Sequence, residues 1–385
     1  MKTIAIDIRL IGRDRTGDEA VFRNLVRSVL ELDRTDRYLL LTDRSDRETI
    51  ERIHTDLGKS GRLRENAEVV YLHSSNRFSW NLFAVPSFLR HRRIDIFHTQ
   101  YILPAFVPRR TRIVTHIHDV SFRAFPNLIG AIDRLFLSVF IPRTMRRSDV
   151  IVTPSHFTKD EIVKLYEVSP ERIVVVPNAV DPSFLVEPSS HELERARSAN
   201  GLPDAFFLSV GTMQPRKNIP LLIRAFADVH TRFPEMKLVL VGGRGGKRYD
   251  HDIDIALCEM NLGNAVIFPG YVAQEDMPSV FRLARGFVFP SRYEGFGIPI
   301  LEAFAAGIPV AASDIPPFRE VGGEAIAYFG PTDVAACAET LYTLLDDNEV
   351  EKGRGRAANE RLAQYSWEKS AQAMVSCYQS FSDEA

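Results

Sequence analysis

The stretch Glu294-Gly-Phe-Gly-Ile-Pro-Ile-Leu-Glu302 carries the densest chemistry in this sequence. Gly295 and Gly297 let a backbone come close to a ligand, and Pro299 suits the first turn of a helix that begins near Ile298. A helix start offers free N–H groups and positive partial charge, which suits phosphate or sugar oxygens. Glu294 on the loop and Glu302 about two turns further on would accept hydroxyl hydrogen bonds around one diphosphate. A glycine-rich turn with two solvated glutamates has the same letters, so this pattern alone does not decide the matter.

Two further stretches bear on the same chemistry. Ser209-Val-Gly-Thr-Met-Gln-Pro-Arg-Lys-Asn218 follows an apolar run and opens a helix, with Arg216 and Lys217 in the loop. Adjacent cations at such a place can neutralise a diphosphate and stabilise it as a leaving group without a metal. A solvated basic turn is the plainer alternative. In Thr115-His-Ile-His-Asp119, strand alternation points His116 and His118 to one face, so one of the two can be a packing residue. No third or fourth ligand lies nearby to make a metal site. His118, a step before the loop, is the better functional candidate.

These loops need rigid elements to hold them. Apolar runs at Thr3–Ile8, Tyr38–Leu41, Val69–Leu72, Ile94–Phe97, Arg112–Ile117 and Val150–Thr153 read as buried parallel strands. Helical periodicity fills the gaps, as in Glu19–Leu32 and Trp80–His91. A second series of strands runs through Phe206–Val210, Lys237–Val241, Ala265–Phe268, Gly286–Phe289 and Val310–Ala312. The fold expected is α/β, with two Rossmann-like doubly wound domains rather than one large sheet. Turn chemistry at Asn178–Pro182 and the polar break Glu187–Ser190 place the boundary before a short helix, His191–Asn200. The expected division is 1–185, 186–365 and a last helix within 366–385. Ligands of doubly wound sheets collect at the carboxyl ends of the strands, so two such domains would share a loop-lined cleft.

Composition agrees with that size. A chain of 385 residues with 45% hydrophobic and 25% charged residues is an ordinary two-domain globular protein. Cys258, Cys337 and Cys377 are scattered and form neither a disulfide framework nor a zinc pattern, as expected of a reducing cytosol. Asp7 and Arg9 interrupt the apolar start too early for a signal peptide, and no apolar run approaches the roughly 18 residues of a membrane span. A cytoplasmic protein is expected, at most attached to the inner face of a membrane, with no nucleic-acid partner. Up to Asp181 there are 29 Lys+Arg against 23 Asp+Glu, leaving 19 against 27 in the remainder. The basic first half suits an anionic acceptor or lipid surface, or is simply a solvated face.

Taken in order, these stretches resemble the family 4 retaining glycosyltransferases of the GT-B fold, mannosyltransferases in particular. The resemblance runs from Val114–Pro126, Val152–Phe157 and Val175–Asp181 through GTMQPRKN and EGFGIPILE to Ala306–Val310 and Tyr365-Ser-Trp367. It implies domains facing across a cleft, with the last helix crossing back to the first domain. It also implies a hexose moved from a nucleotide-sugar, best GDP-mannose, to a glycan or lipid-linked acceptor in polysaccharide biosynthesis. UDP-glucose or UDP-N-acetylglucosamine donors, and the related nucleotide-sugar 2-epimerases, are the alternatives. By the same resemblance Arg216 and Lys217 hold the diphosphate, Glu294 the sugar hydroxyls and Glu302 the ribose. His118 then sits beside the reacting sugar. Gly211, Gly295, Phe296, Gly297 and Ile298 complete the donor site, and backbone around Tyr271 and Val272 receives the base. The implied front-face step needs no metal or other cofactor.

One place departs from the family. Its second glycine after the first strand is replaced, so Gly17, Asp18 and Glu19 are read as acceptor-side residues, or as an ordinary acidic helix start. The segment Leu128–Arg147 mixes Phe136, Leu137, Phe140 and Ile141 with Arg143, Arg146 and Arg147. It suits either a core-packing helix or one that meets a lipid surface.

Overall fold

The computed structural model describes residues 1–12, 17–58, 61–125, 131–244, 248–345 and 349–381, without the side chains of 131–133, 135, 349 and 351. The chain forms two compact units. One is Met1–Ala179 together with Ser366–Ala385, and the other is Val180–Tyr365.

The first unit is built on β1 (Thr3–Asp7), β2 (Arg37–Thr42), β3 (Ala67–Tyr71), β4 (Ile96–Gln100), β5 (Arg112–His116), β6 (Val150–Thr153) and β7 (Ile173–Val175). They pair in parallel in the order β3-β2-β1-β4-β5-β6-β7. Residues of β1, β2, β4 and β5 are buried on both faces, which explains why these strands read as continuous apolar runs instead of alternating ones. The helix Gly17–Leu32 buries Val21, Phe22, Leu25, Val26 and Val29, spaced three and four apart on one side. The helix Trp367–Ser380 packs against it, its start capped by Ser366 Oγ, which accepts from Lys369 N–H.

The expected helix Trp80–His91 is two pieces: a π turn, Trp80–Ala84, followed by the α-helix Val85–His91. Pro86 is the physical reason. It has no N–H to give the carbonyl four residues back, and the wider turn upstream absorbs the break. This places Trp80 Nε1 2.9 Å from Asp7 Oδ2, at the carboxyl end of β1.

The second unit holds β8 (Phe206–Val210), β9 (Lys237–Val241), β10 (Val266–Gly270), β11 (Gly286–Phe289), β12 (Val310–Ser313) and β13 (Ala327–Phe329), all parallel, in the order β10-β9-β8-β11-β12-β13. Alternate residues feed two cores. Phe206, Leu208, Val239, Phe287 and Phe289 join the cluster under the helix Ile298–Ala305. Phe207, Leu238, Leu240 and Val288 join the one under Ile219–Arg232. Each such fully buried side chain contributes about 1.5–3 kcal/mol.

Both sheets reverse their strand order once, between β1 and β4 in the first and between β8 and β11 in the second. A doubly wound sheet binds its ligand in the crevice outside the carboxyl ends at that reversal.

Candidate active site

At the reversal of the second sheet, the loop after β8 and the loop after β11 are stitched together. Asn218, in the left-handed conformation (φ 56°) and almost wholly buried, ends the short turn Pro215–Lys217. Its Nδ2 donates to Pro290 O at 3.1 Å and to Pro331 O at 2.9 Å, and Arg292 N–H donates to Arg216 O at 2.8 Å. The loop backbones are therefore fixed before any ligand arrives.

Glu294 sits between both cations. Its Oε2 is 3.0 Å from Arg216 Nη1 and its Oε1 2.6 Å from Lys217 Nζ. Ser291 Oγ donates to Oε1 at 2.9 Å, and Lys217 Nζ lies 4.9 Å over the Phe289 ring. Burial by itself would raise the Glu294 carboxyl. Lys217 and Arg216 outweigh it and hold the group below the ordinary carboxylate value. Gly211 is required here: a Cβ on it would come within 3.3 Å of Lys217 Cε, at a backbone φ of 152°. Gly297 is required too, because its φ is 117° and a Cβ would press on the Phe318 ring at 3.0 Å.

Gly297 opens the helix Ile298–Ala305, with Pro299 in its first turn. Glu302 lies on this helix and is pushed up to about 8, first by burial and then by the neighbouring Asp181 carboxylate. Part of its surface stays accessible, so the group can still exchange its proton. Phe296 and Val272 bury their side chains in the core, and only their backbone is available to a ligand, whereas Tyr271 is exposed. Of the second-unit candidates, Gly211, Arg216, Lys217 and Glu294 form one contact cluster, and Gly297 and Ile298 lead from it into the helix that carries Glu302. Asn218, Ser291 and Asp181 were missed as single polar letters without a spacing signal.

The reversal of the first sheet has its own cluster. Asp7 ends β1 and grips Arg9, Nε to Oδ1 at 3.1 Å and Nη2 to Oδ2 at 3.0 Å, while the guanidinium lies 4.3 Å over Trp80. His118 follows β5, nearly buried, its Nε2 3.0 Å from Gln100 Oε1 at the end of β4. Its ring stacks on His116 at 4.4 Å, and His116 stacks on His98 at 6.1 Å. His98 is hydrogen-bonded through Nδ1 to Tyr378 Oη of the last helix at 2.6 Å. Burial, then the nearby His118, pushes His98 down to about 3 and His116 well below its ordinary value, so both stay neutral. His116 is the packing residue of the pair.

Gly17 begins the helix Gly17–Leu32 and Asp18 is exposed. Glu19 turns inward instead: it is buried, and its Oε1 accepts the Gly12 N–H at 2.8 Å. Its carboxylate thereby ties down the chain after β1, which leaves Gly17 and Asp18 as the outward acceptor-side candidates. Arg15 and Thr16, next to them, lie outside the described residues, as do Pro126 and Leu128–Gly130. In the helix Ala131–Arg147, Arg143 donates to the carbonyls of Leu103, Pro104 and Ala105, and Ile141 is fully buried. Arg146 and Arg147 are exposed at its end.

Two family models match, Glycosyltransferase Family 4 over residues 17–184 and Glycosyl transferases group 1 over residues 190–361. The chain is 32% identical over 282 residues to O-antigen chain mannosyltransferase B of Escherichia coli, covering 71% of this chain and 72% of that protein. It is 27% identical over 288 residues to O-antigen chain mannosyltransferase RfbU of Salmonella typhimurium, covering 74% and 72%. Among solved structures, sucrose-phosphate synthase from Thermosynechococcus elongatus superposes with a TM-score of 0.75 at 21% identity, covering 99% of both chains, and so shares the fold. Two parallel sheets with their candidate residues at the strand-order reversals, and a relative matched over most of its length, lead to one statement: the chain belongs to the family 4 glycosyltransferases and has the GT-B fold.

Proposed function

We propose that this glycosyltransferase moves mannose from GDP-mannose to a glycan or lipid-linked acceptor with retention at the anomeric carbon. The observation that carries the reading is the Arg216–Glu294–Lys217 cluster at the reversal of the second sheet. The relatives named above support mannose as the sugar. In the proposed step, the bond from the anomeric carbon to the diphosphate breaks as the acceptor oxygen bonds to the same face. The acceptor proton passes to a leaving phosphate oxygen. Arg216 and Lys217 neutralise the charge that builds on the diphosphate, in place of a metal ion. Glu294, released from one or both cations, accepts hydroxyls of the donor sugar, and Glu302 accepts those of the ribose.

The acceptor falls to the first unit, at Gly17 and Asp18, with His118 beside the reacting sugar. Peripheral contact with an anionic membrane belongs to the same proposal. The helix Ala131–Arg147 leaves Val139 exposed, and Arg146 and Arg147 exposed about two turns further on. Among the described residues no helix is long and apolar enough to cross a membrane.

Calorimetric titration with GDP and UDP, each with and without EDTA, tests the donor. Tighter binding of GDP, unchanged by EDTA, is the expected result. A preference for UDP would overturn the donor and favour a UDP-sugar transferase or a 2-epimerase, and loss of binding in EDTA would overturn metal independence.

Glu294→Gln separates binding from turnover. The variant leaves both cations without their carboxylate, so GDP should bind at least as tightly as to the native protein. Turnover should fall by about 10² or more, because the sugar hydroxyls lose a charged acceptor, one of whose two oxygens is replaced by a donating amide. Calorimetry and the rate of GDP release measure the two quantities. Parallel losses in both would show that Glu294 serves the nucleotide and not the sugar.

A further inference from the structure

Gln100 took no part in the sequence argument, yet among the described residues it is the one side chain hydrogen-bonded to His118. It closes β4, in register with His116 on β5. The next residue, Tyr101, adopts a left-handed backbone (φ 54°), unusual for a residue with a bulky side chain. Its N–H donates to His116 O at 3.0 Å, and Ile102 N–H folds back on Gln100 O at 2.5 Å. This tight turn sets the direction in which the Gln100 side chain leaves the strand. The Tyr101 ring then flanks His118 at 5.8 Å, and the neutral His116 ring lies under it at 4.4 Å with planes 26° apart.

The amide oxygen of Gln100 only accepts hydrogen bonds. A 3.0 Å contact from Oε1 to Nε2 is therefore satisfied when the ring proton is on Nε2. Nδ1 then carries the lone pair, and among the described residues it has no protein partner. We propose that Gln100 is a positioning residue that holds His118 as the Nε2–H tautomer, in the plane set by the His116 floor, for the transfer step. The proposal rests on the reading that His118 lies beside the reacting sugar.

The test is NMR of protein labelled with ¹⁵N histidine, at pH 8, with His118 assigned by the loss of its signals in His118→Gln. The native protein should show a protonated Nε2 whose hydrogen exchanges slowly, and an unprotonated Nδ1. In Gln100→Leu the Nε2 hydrogen should be lost to fast exchange and the two nitrogen shifts should move toward each other. Gln100→Glu, which keeps an acceptor oxygen in place, should restore the Nε2 proton. GDP release from GDP-mannose should follow the same order, with kcat down as much as about 10²-fold in Gln100→Leu, the donor KM unchanged, and recovery in Gln100→Glu. A native His118 protonated on Nδ1, or spectra unchanged in Gln100→Leu, would overturn the role of Gln100. Spectra that change while kcat does not would instead overturn the reading of His118, and the two failures are thereby told apart.

Discussion

Replacing Arg216 and Lys217 together by alanine is expected to lower transfer by about 10³-fold or more with the fold intact. The reasoning starts from charge. In the proposed reaction a diphosphate departs from the sugar, and these are the two cations clustered at the reversal of the second sheet. Removing both has a second consequence that single changes lack. Glu294, which the two cations hold ionised against the cost of burial, would be left without them as a largely buried carboxyl that burial pushes up, next to a diphosphate with no cation to meet it. GDP binding should therefore weaken along with turnover, the opposite of what Glu294→Gln does. Circular dichroism establishes that the fold is kept, and GDP release from GDP-mannose gives the rate. Native turnover in the double variant would remove the assignment of this cluster.

The parts of this arrangement visible in the sequence are those with strong local signals. Inner strands buried on both faces, such as Phe206–Val210 and Val150–Thr153, appear in the structure with the expected bounds, because burial leaves an unbroken apolar run. β7 and β13 escaped, being three-residue strands at the sheet edges, too short for any period to show. The π turn at Trp80 escaped as well, since the apolar spacing of a helix continues through it and Pro86 alone marks the break. For the site, glycines and adjacent cations announced the loops. Nothing announced Asn218, which stitches those loops, or Gln100, which meets His118 across a strand pair. Such contacts depend on strand register, which follows from the order of the sheet rather than from nearby letters. The inward turn of Glu19 is of the same kind: its partner is a backbone N–H seven residues back, and the sequence shows only an acidic residue near a helix start.

Glu302 gives the second large effect, and it is legible only in the structure. Its carboxyl is raised from the ordinary 4.5 to about 8, by burial and by Asp181. Between those two pH values the folded protein keeps a proton that the unfolded chain has released. Stability must therefore fall as pH rises from about 4.5, and the deficit becomes constant above about 8. Glu302→Gln has no proton to release, so it should melt at the native temperature near pH 4.5 and progressively above it toward pH 8.5. The gain there is on the order of 3–5 kcal/mol at most, less whatever the accessible part of the side chain loses to solvent screening. Nucleotide binding should move the other way. Ribose hydroxyls that donate to Glu302 favour its ionised form, so GDP should bind more tightly at pH 8.5 than at pH 6.5, with release of a proton near neutrality. Glu302→Gln should flatten that dependence while lowering the affinity at high pH. Melting curves and calorimetry at the two ends of the range measure both. A stability gain of the variant over the native protein that does not change with pH would show that Glu302 titrates normally. A pH-independent GDP affinity would remove it from the ribose site. A group kept protonated without ligand and ionised with it would explain why so costly a carboxylate is carried by the helix Ile298–Ala305: the stability it costs the empty protein is recovered when the nucleotide binds.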